Sequence, residues 1–199
     1  MIDACMEKYI PNATRCVAPF HVVSWAMKSL DALRKDIGRE HRDEARDFAK
    51  EHPREKGRPK ADDKDLAKLN ELNEKATQIK SSTYALGKAS EDLTQNQIDR
   101  LEFIANTSSK LFRGYTLKER LRLALKSPDS EIAKAELDSF FWRATHSKIE
   151  VFKEFGHKIR RHEEHILNTI ESKLSSARVE SINNKIKLFI RKAYVFRNI

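Results

Sequence analysis

One carboxylate, Glu180, stands in a stretch otherwise rich in Arg and Lys, "SSARVESINNKIKLFIRKAYVFRN" from Ser175 to Asn198. Two chemistries are open to an acid so placed. It can hold a divalent cation beside a phosphate-binding track, or sit near a helix start, where the macrodipole favours negative charge, and pair with basic neighbours. At helical spacing Glu180, Asn183 or Asn184, Lys187 and Arg191 share a face, while Val179, Ile182, Ile186, Phe189 and Ala193 form a stripe expected to be buried. Arg178, Lys185, Lys187, Arg191, Lys192 and Arg197 crowd the same stretch, with Tyr194 and Phe196 between them. That pattern suits tracking a phosphate backbone; a merely solvated basic face is the competing reading.

The histidines raise a metal question. His157, His162 and His165 fall on one predicted helix, but "HEEH" spaces its histidines i, i+3, not the i, i+4 of the H-E-x-x-H zinc arrangement. His162 also lies between Ile159 and Ile166 on the apolar stripe, which makes it a core histidine first and a ligand second. A zinc site from Cys5, Cys16 and His21 would lack a fourth ligand and a tight pair spacing, so the two cysteines read as reduced, half-buried thiols. There is no phosphate-cradling glycine loop, and no Ser or Cys occupies a nucleophile setting.

The elements that must position these residues are almost all helical. Hydrophobic residues make up 39% of the 199 and charged ones 35%, enough apolar material for a core beneath a charged surface. A formal net charge of +9 favours a polyanionic partner, nucleic acid before an anionic membrane. No apolar run approaches the ~20 residues of a membrane span, and "MIDACMEKYI" lacks the zones of a signal peptide, which points to the cytoplasm. "ATRCV", residues 13–17, is a short strand candidate closed by Pro19. Val23, Ala26, Leu30, Leu33 and Ile37 then form a helical stripe. Residues 50–65, broken by Pro53, Gly57 and Pro59 and densely charged, read as a mobile linker.

Leu66, Leu69, Leu72, Ala76 and Ile79 mark the next helix. "TQNQ" (Thr94 to Gln97) is a capping box for a helix with Ile98, Leu101 and Ile104. Leu111, Tyr115, Lys118, Leu121 and Leu125 continue the array to Ser127-Pro128, which suits an N-cap and first-turn pair. Ile132, Ala135, Phe140 and Trp142 belong to the following helix. "SKIE" (Ser147 to Glu150) reads as a second capping box, opening one long helix with Phe152, Phe155, Ile159, Ile166 and Ile170 facing inward.

Several of these stretches, taken in order, resemble the DDE transposases of bacterial insertion sequences, ISL-three group, in the part downstream of the second catalytic aspartate. "YIPNATRCVAPFHVVSWAMKSLDALR" resembles that group's strand-to-helix passage. "SSTYALGKASEDLT", "GYTLKERLR" and "FKEFGHKIRRHEEHIL" resemble its helical insertion, and "SSARVESINNKIKLFIRKAYVFRN" its terminal block. The resemblance implies a mainly α chain: residues 1–22 a remnant of a ribonuclease-H-like α/β core with one short strand, 23–170 an all-helical insertion, 171–199 the terminal core helix. It also implies that Glu180 is the third acid of a triad that holds two Mg²⁺ or Mn²⁺ ions for in-line strand transfer.

On the same resemblance Arg178, Asn183, Asn184 and Lys185 lie beside bound DNA, joined by the clustered Lys187, Arg191 and Lys192. His21 matches the histidine of a D-x-x-H feature near the site. This sequence departs from the pattern where Ala18 stands in place of that feature's acid and Val195 in place of a glycine. The two aspartates have no match here, so the expectation is a catalytically inactive C-terminal fragment that binds transposon ends but no metal tightly. A regulatory module that self-associates or pairs with full-length transposase and inhibits it is the alternative, and an unrelated basic helical protein is the third reading.

Overall fold

The computed structural model describes residues 8–9, 12–53, 64–173 and 176–195. Among them no residue is in a strand, and the chain is an array of helices: α1 (Pro19–Glu51), α2 (Lys64–Ser81), α3 (Thr83–Gly87), α4 (Gln95–Thr107), α5 (Ser109–Ala124), α6 (Ser130–His146), α7 (Glu150–Arg161), α8 (Glu163–Ser172) and α9 (Ser176–Val195). A 3₁₀ turn, Ser90–Asp92, precedes α4.

α1 begins at Pro19, whose fixed φ suits a first helical position. Its stripe becomes the spine of the core: Val22, Ala26, Leu30, Leu33 and Ile37 are buried against α2, α5 and α7. Leu111 and Leu121 of α5, Leu137 and Phe140 of α6, Phe152 and Ile159 of α7 and Ile166 of α8 complete it. Gly114 lets α5 approach closely, since a Cβ there would lie 2.8 Å from Leu33 Cδ2 and 3.1 Å from Phe152 Cε2.

Several local expectations meet a different outcome. Residues 13–18 form no strand and no helix; their backbone docks on a helix instead. α1 and α2 claim residues 50–51 and 64–65 of the expected linker, and residues 54–63 lie outside the described residues. The helix α6 is capped by Asp129, whose side chain accepts from Glu131 and Ile132 N–H, not by Ser127. A carboxylate one residue past Pro128 reaches two free N–H groups at once, which outweighs a serine two positions earlier.

The "SKIE" capping box does not form. Ser147 is buried, donates to the Ala144 carbonyl and accepts from Ile149 N–H, shaping a turn in which Lys148 takes φ 57°. The capping box of α4 does form, with Gln97 Oε1 accepting from Thr94 N–H at 3.0 Å. The long helix expected through Ile170 is two, α7 and α8, broken at His162 (φ −108°, ψ 9°). His162 N–H bonds the Ile159 carbonyl three residues back, a tightened last turn that redirects the chain.

Candidate nucleic-acid interface

α9 carries nearly every residue singled out for phosphate and metal chemistry. Stepping 100° per residue, Ile182, Ile186, Phe189 and Ile190 make an apolar ribbon, with Lys185 and Lys192 along one edge and Lys187 and Arg191 beyond the other. The expectation that this ribbon is buried is not met within this chain. Ile182, Ile186, Phe189 and Ile190 are 56%, 49%, 72% and 52% exposed. The periodicity that marks a buried stripe reports amphipathicity, not the presence of a partner. Asn184, Lys185, Lys187, Arg191 and Lys192 are exposed. The side chains of Arg178, Glu180 and Asn183, and those of Val179 and Ala193, lie outside the described residues.

The near-site histidine, His21, is exposed in the first turn of α1, edge-on to Phe20 with ring centroids 5.7 Å apart. Its N–H bonds the Ala18 carbonyl, so Ala18 forms the N-terminal boundary of the helix. His162 is half-buried at the α7–α8 joint, its ring 5.5 Å from Trp25 and 6.0 Å from His165. Lys158, one turn earlier, sets its ammonium 3.9 Å from the Trp25 ring centroid. Among the described residues no three His, Cys, Asp or Glu side chains are grouped to hold a metal ion. Cys16 is exposed, and Cys5 lies outside the described residues.

What joins the start of α1 to the end of the array is a clasp. Val17 N–H donates both to the His165 carbonyl at 3.1 Å and to Thr169 Oγ1 at 2.9 Å. Thr169 Oγ1 also lies 3.1 Å from the Val17 carbonyl and 2.8 Å from that of His165, and Asn168 Nδ2 donates to the Arg15 carbonyl at 3.1 Å. The unpaired backbone of residues 13–18 thus finds its partners on α8, three residues before α9 begins at Ser176. A polar residue on the inward side of α8, between Ile166 and Ile170, was the available sign of this contact.

Charge is unevenly spent across the surface. On α1 and α2 opposite charges pair along the helix: Asp31 with Arg34 and Lys35, Asp36 with Arg39, Asp43 with Arg46, Asp47 with Lys50, and Glu71 with Lys68 and Lys75. Lys185, Lys187, Arg191 and Lys192 have no ion pair among the described residues. Their positive potential is left for an outside anion.

A further network, centred on Lys118, Glu119 and Arg122, matches no sequence motif. Lys118 Nζ donates to the carbonyls of Leu86 (2.9 Å) and Lys88 (2.8 Å) and pairs with Glu119 at 2.6 Å. Arg122 bridges Glu119 and Glu91, and Ser90 N–H donates to Glu119. It fastens the turn between α3 and α4 onto α5, which is structural work; its sign was a lysine on an apolar stripe.

No helix among the described residues is long and apolar enough to cross a membrane. The family model for DDE transposases of the ISL3 group, described as transposase, matches residues 2–199. Transposases for insertion sequence element IS1557 from two strains of Mycobacterium tuberculosis, CDC 1551 and H37Rv, are each 38% identical over 94% of the chain. The transposase for insertion sequence element IS1001 of Bordetella parapertussis is 27% identical over 60% of the chain. The matches span 40% of the two mycobacterial relatives' length and 30% of the third's. No solved structure matches.

Proposed function

The chain belongs to the ISL3 family of DDE transposases, and from that premise we propose that it supplies the helical insertion and the terminal core helix of such an enzyme. Residues 1–22 are the remnant of the ribonuclease-H-like core, 23–170 the insertion and 171–199 the terminal helix. α9 brings Glu180 as the third carboxylate, with Arg178, Asn183, Asn184 and Lys185 beside DNA and Lys187, Arg191 and Lys192 along its backbone. His21 stands near the same site. The DNA is that of the transposon ends, and the setting is the cytoplasm.

The observation that carries this reading is the clasp. Val17 and Thr169 are 152 positions apart and hydrogen-bonded, so the entrance and exit of the helical body lie side by side. An insertion needs that arrangement, because both of its ends must return to one host domain. The exposed ribbon of α9 supports it from the other side: an apolar face of four large side chains is what a helix destined for a host core displays without that core.

Glu180 by itself does not fit a two-metal centre, since paired divalent ions need several oxygen donors and matching negative charge. A polypeptide of these 199 residues is therefore inert toward strand cleavage with Mg²⁺ or Mn²⁺. Joined to an upstream segment carrying both family aspartates, and with Ala18→Asp, it should become active. In that protein Glu180→Gln should abolish strand transfer while leaving DNA binding intact, because the amide keeps the shape and loses the charge. Retained activity in Glu180→Gln would show the third acid to be elsewhere. The second reading, a regulatory module that pairs with full-length transposase, draws on the same exposed α9 ribbon; inhibition of an intact relative on mixing is its test.

A further inference from the structure

Trp142 is 63% exposed near the C-terminal end of α6, yet it is not left to wander. His146, one turn later, stacks on it with ring centroids 4.4 Å apart and planes 23° apart. The histidine ring is itself pinned, because its Nδ1–H donates to the Trp142 carbonyl at 2.7 Å. A flat indole is thus held in place on one side while the bulk of its surface meets water. Phe48 and His52 repeat the device at the end of α1, so the histidine's bond belongs to finishing a helix. Finishing a helix does not require a tryptophan so exposed.

The ends of the helices on either side of Trp142 carry several exposed cations. Arg120 of α5 donates to Ser139 Oγ of α6 at 3.3 Å, which fixes the register of the two helices across their short connection. From that point Arg113 and Lys110 lie back along α5, and Arg143 lies forward along α6, toward the end that holds Trp142. Lys148 follows just beyond α6. All four cations are exposed, and none has an ion pair among the described residues. Asp138, one turn before Trp142, opposes them; Glu150 is already engaged by Lys153 at 3.0 Å.

We propose that Trp142, backed by His146 and flanked by Arg113, Arg143, Lys110 and Lys148, is a stacking platform for an unpaired base of a DNA strand. An aromatic face takes any base, and the cations hold the phosphates on either side of it. This rests on the chain being part of a DNA-handling enzyme, and it adds a contact on the insertion, separate from α9. Glu131, at the start of α6, lines a cleft with Glu163 and Leu167 of α8, and about eleven residues, roughly 16 Å of helix, separate it from Trp142, so a strand held here is read at a distance from α8.

The test is titration of the 199-residue chain with a single-stranded dT oligonucleotide and with a duplex of equal length, followed by tryptophan quenching and anisotropy. Trp142→Ala should lose the quenching and weaken single-strand binding about tenfold, with duplex affinity changed far less. Trp142→Tyr should restore most of the loss, and circular dichroism confirms that both variants fold. Unchanged single-strand affinity in Trp142→Ala, with duplex binding still dependent on the α9 cations, overturns the platform and leaves the transposase reading standing. If neither DNA binds, the platform and the DNA-tracking role of α9 fall together, while the family membership stands. If Trp142→Ala leaves DNA binding intact but abolishes self-association, the patch is a protein contact and the platform is overturned.

Discussion

Lys118 lies on the apolar stripe of α5, and burial holds its ammonium below the ordinary lysine range while the bond to Glu119 pulls the other way. Burial pushes Glu119 upward, but hydrogen bonds from Arg122 and Lys118 outweigh it and leave the carboxyl below its ordinary 4.5. Glu91 is held well below the same value, chiefly by its hydrogen bond from Arg122. Carboxylates with depressed folded values contribute stability that is present above the unfolded 4.5 and lost as pH falls through the folded values. Thermal unfolding followed from pH 7 downward should show a steep acid limb below that point, and Arg122→Met should flatten it. An unaltered limb would mean the network is not what acid dissolves. Thr169 makes the second residue-scale prediction. Thr169→Val removes one of the two acceptors of Val17 N–H and the hydroxyl beside the Val17 carbonyl, leaving the His165 bond, and should cost about 0.5–1.5 kcal/mol in urea unfolding, whereas Thr169→Ser should recover most of it. Faster amide exchange at Val17 in the valine variant alone would localise the loss to the clasp.

Among elements, the close crossing of α1, α5 and α7 at Gly114 is the most exacting. Gly114→Ala drives a methyl to within 2.8 Å of Leu33 Cδ2, and overpacking of that kind should lower stability by about 1–3 kcal/mol despite alanine's better helix propensity. A gain in the denaturation midpoint would mean that Leu33 moves aside freely. The contrast shows which parts of the fold the sequence makes legible. Stripes such as Leu30, Leu33 and Ile37 announce themselves because burial repeats with the helix period, and all three are buried. The break at His162 does not, because Ile159 and Ile166 keep helical spacing on either side of it while the backbone turns. Nor does the fate of residues 13–17: alternation marks extended chain, but whether its N–H groups meet a strand or Thr169 depends on partners 152 positions away. α9 was legible as an amphipathic helix and illegible as an exposed one, since periodicity cannot name what covers a face. Glu180 was visible as an acid among cations; its role came from resemblance, not from spacing.

Across the whole molecule the net charge of +9 is less informative than where pairing leaves it uncancelled. α1 holds seven basic and seven acidic side chains and joins several of them at i, i+3. Its charge is consumed locally, and a phosphate backbone would have to break those pairs to use it. α9 carries Lys185, Lys187, Arg191 and Lys192 with no ion pair among the described residues. Counterion release turns this difference into a measurement, because each phosphate neutralised adds about 0.9 to the slope of log affinity against log salt for duplex DNA. Replacing all four α9 cations with alanine should lower that slope by about 3–4 on any duplex, similarly for unrelated sequences. Replacing Arg39, Arg46 and Lys50 of α1 should leave it nearly unchanged, although that variant loses a comparable amount of formal charge. Equal slope losses in the two variants would mean that net charge alone governs binding, and α9 would then have no claim to be the DNA-tracking surface. An unchanged slope in the α9 variant, with loss only on α7, would move that surface to Lys158, Arg160 and Arg161.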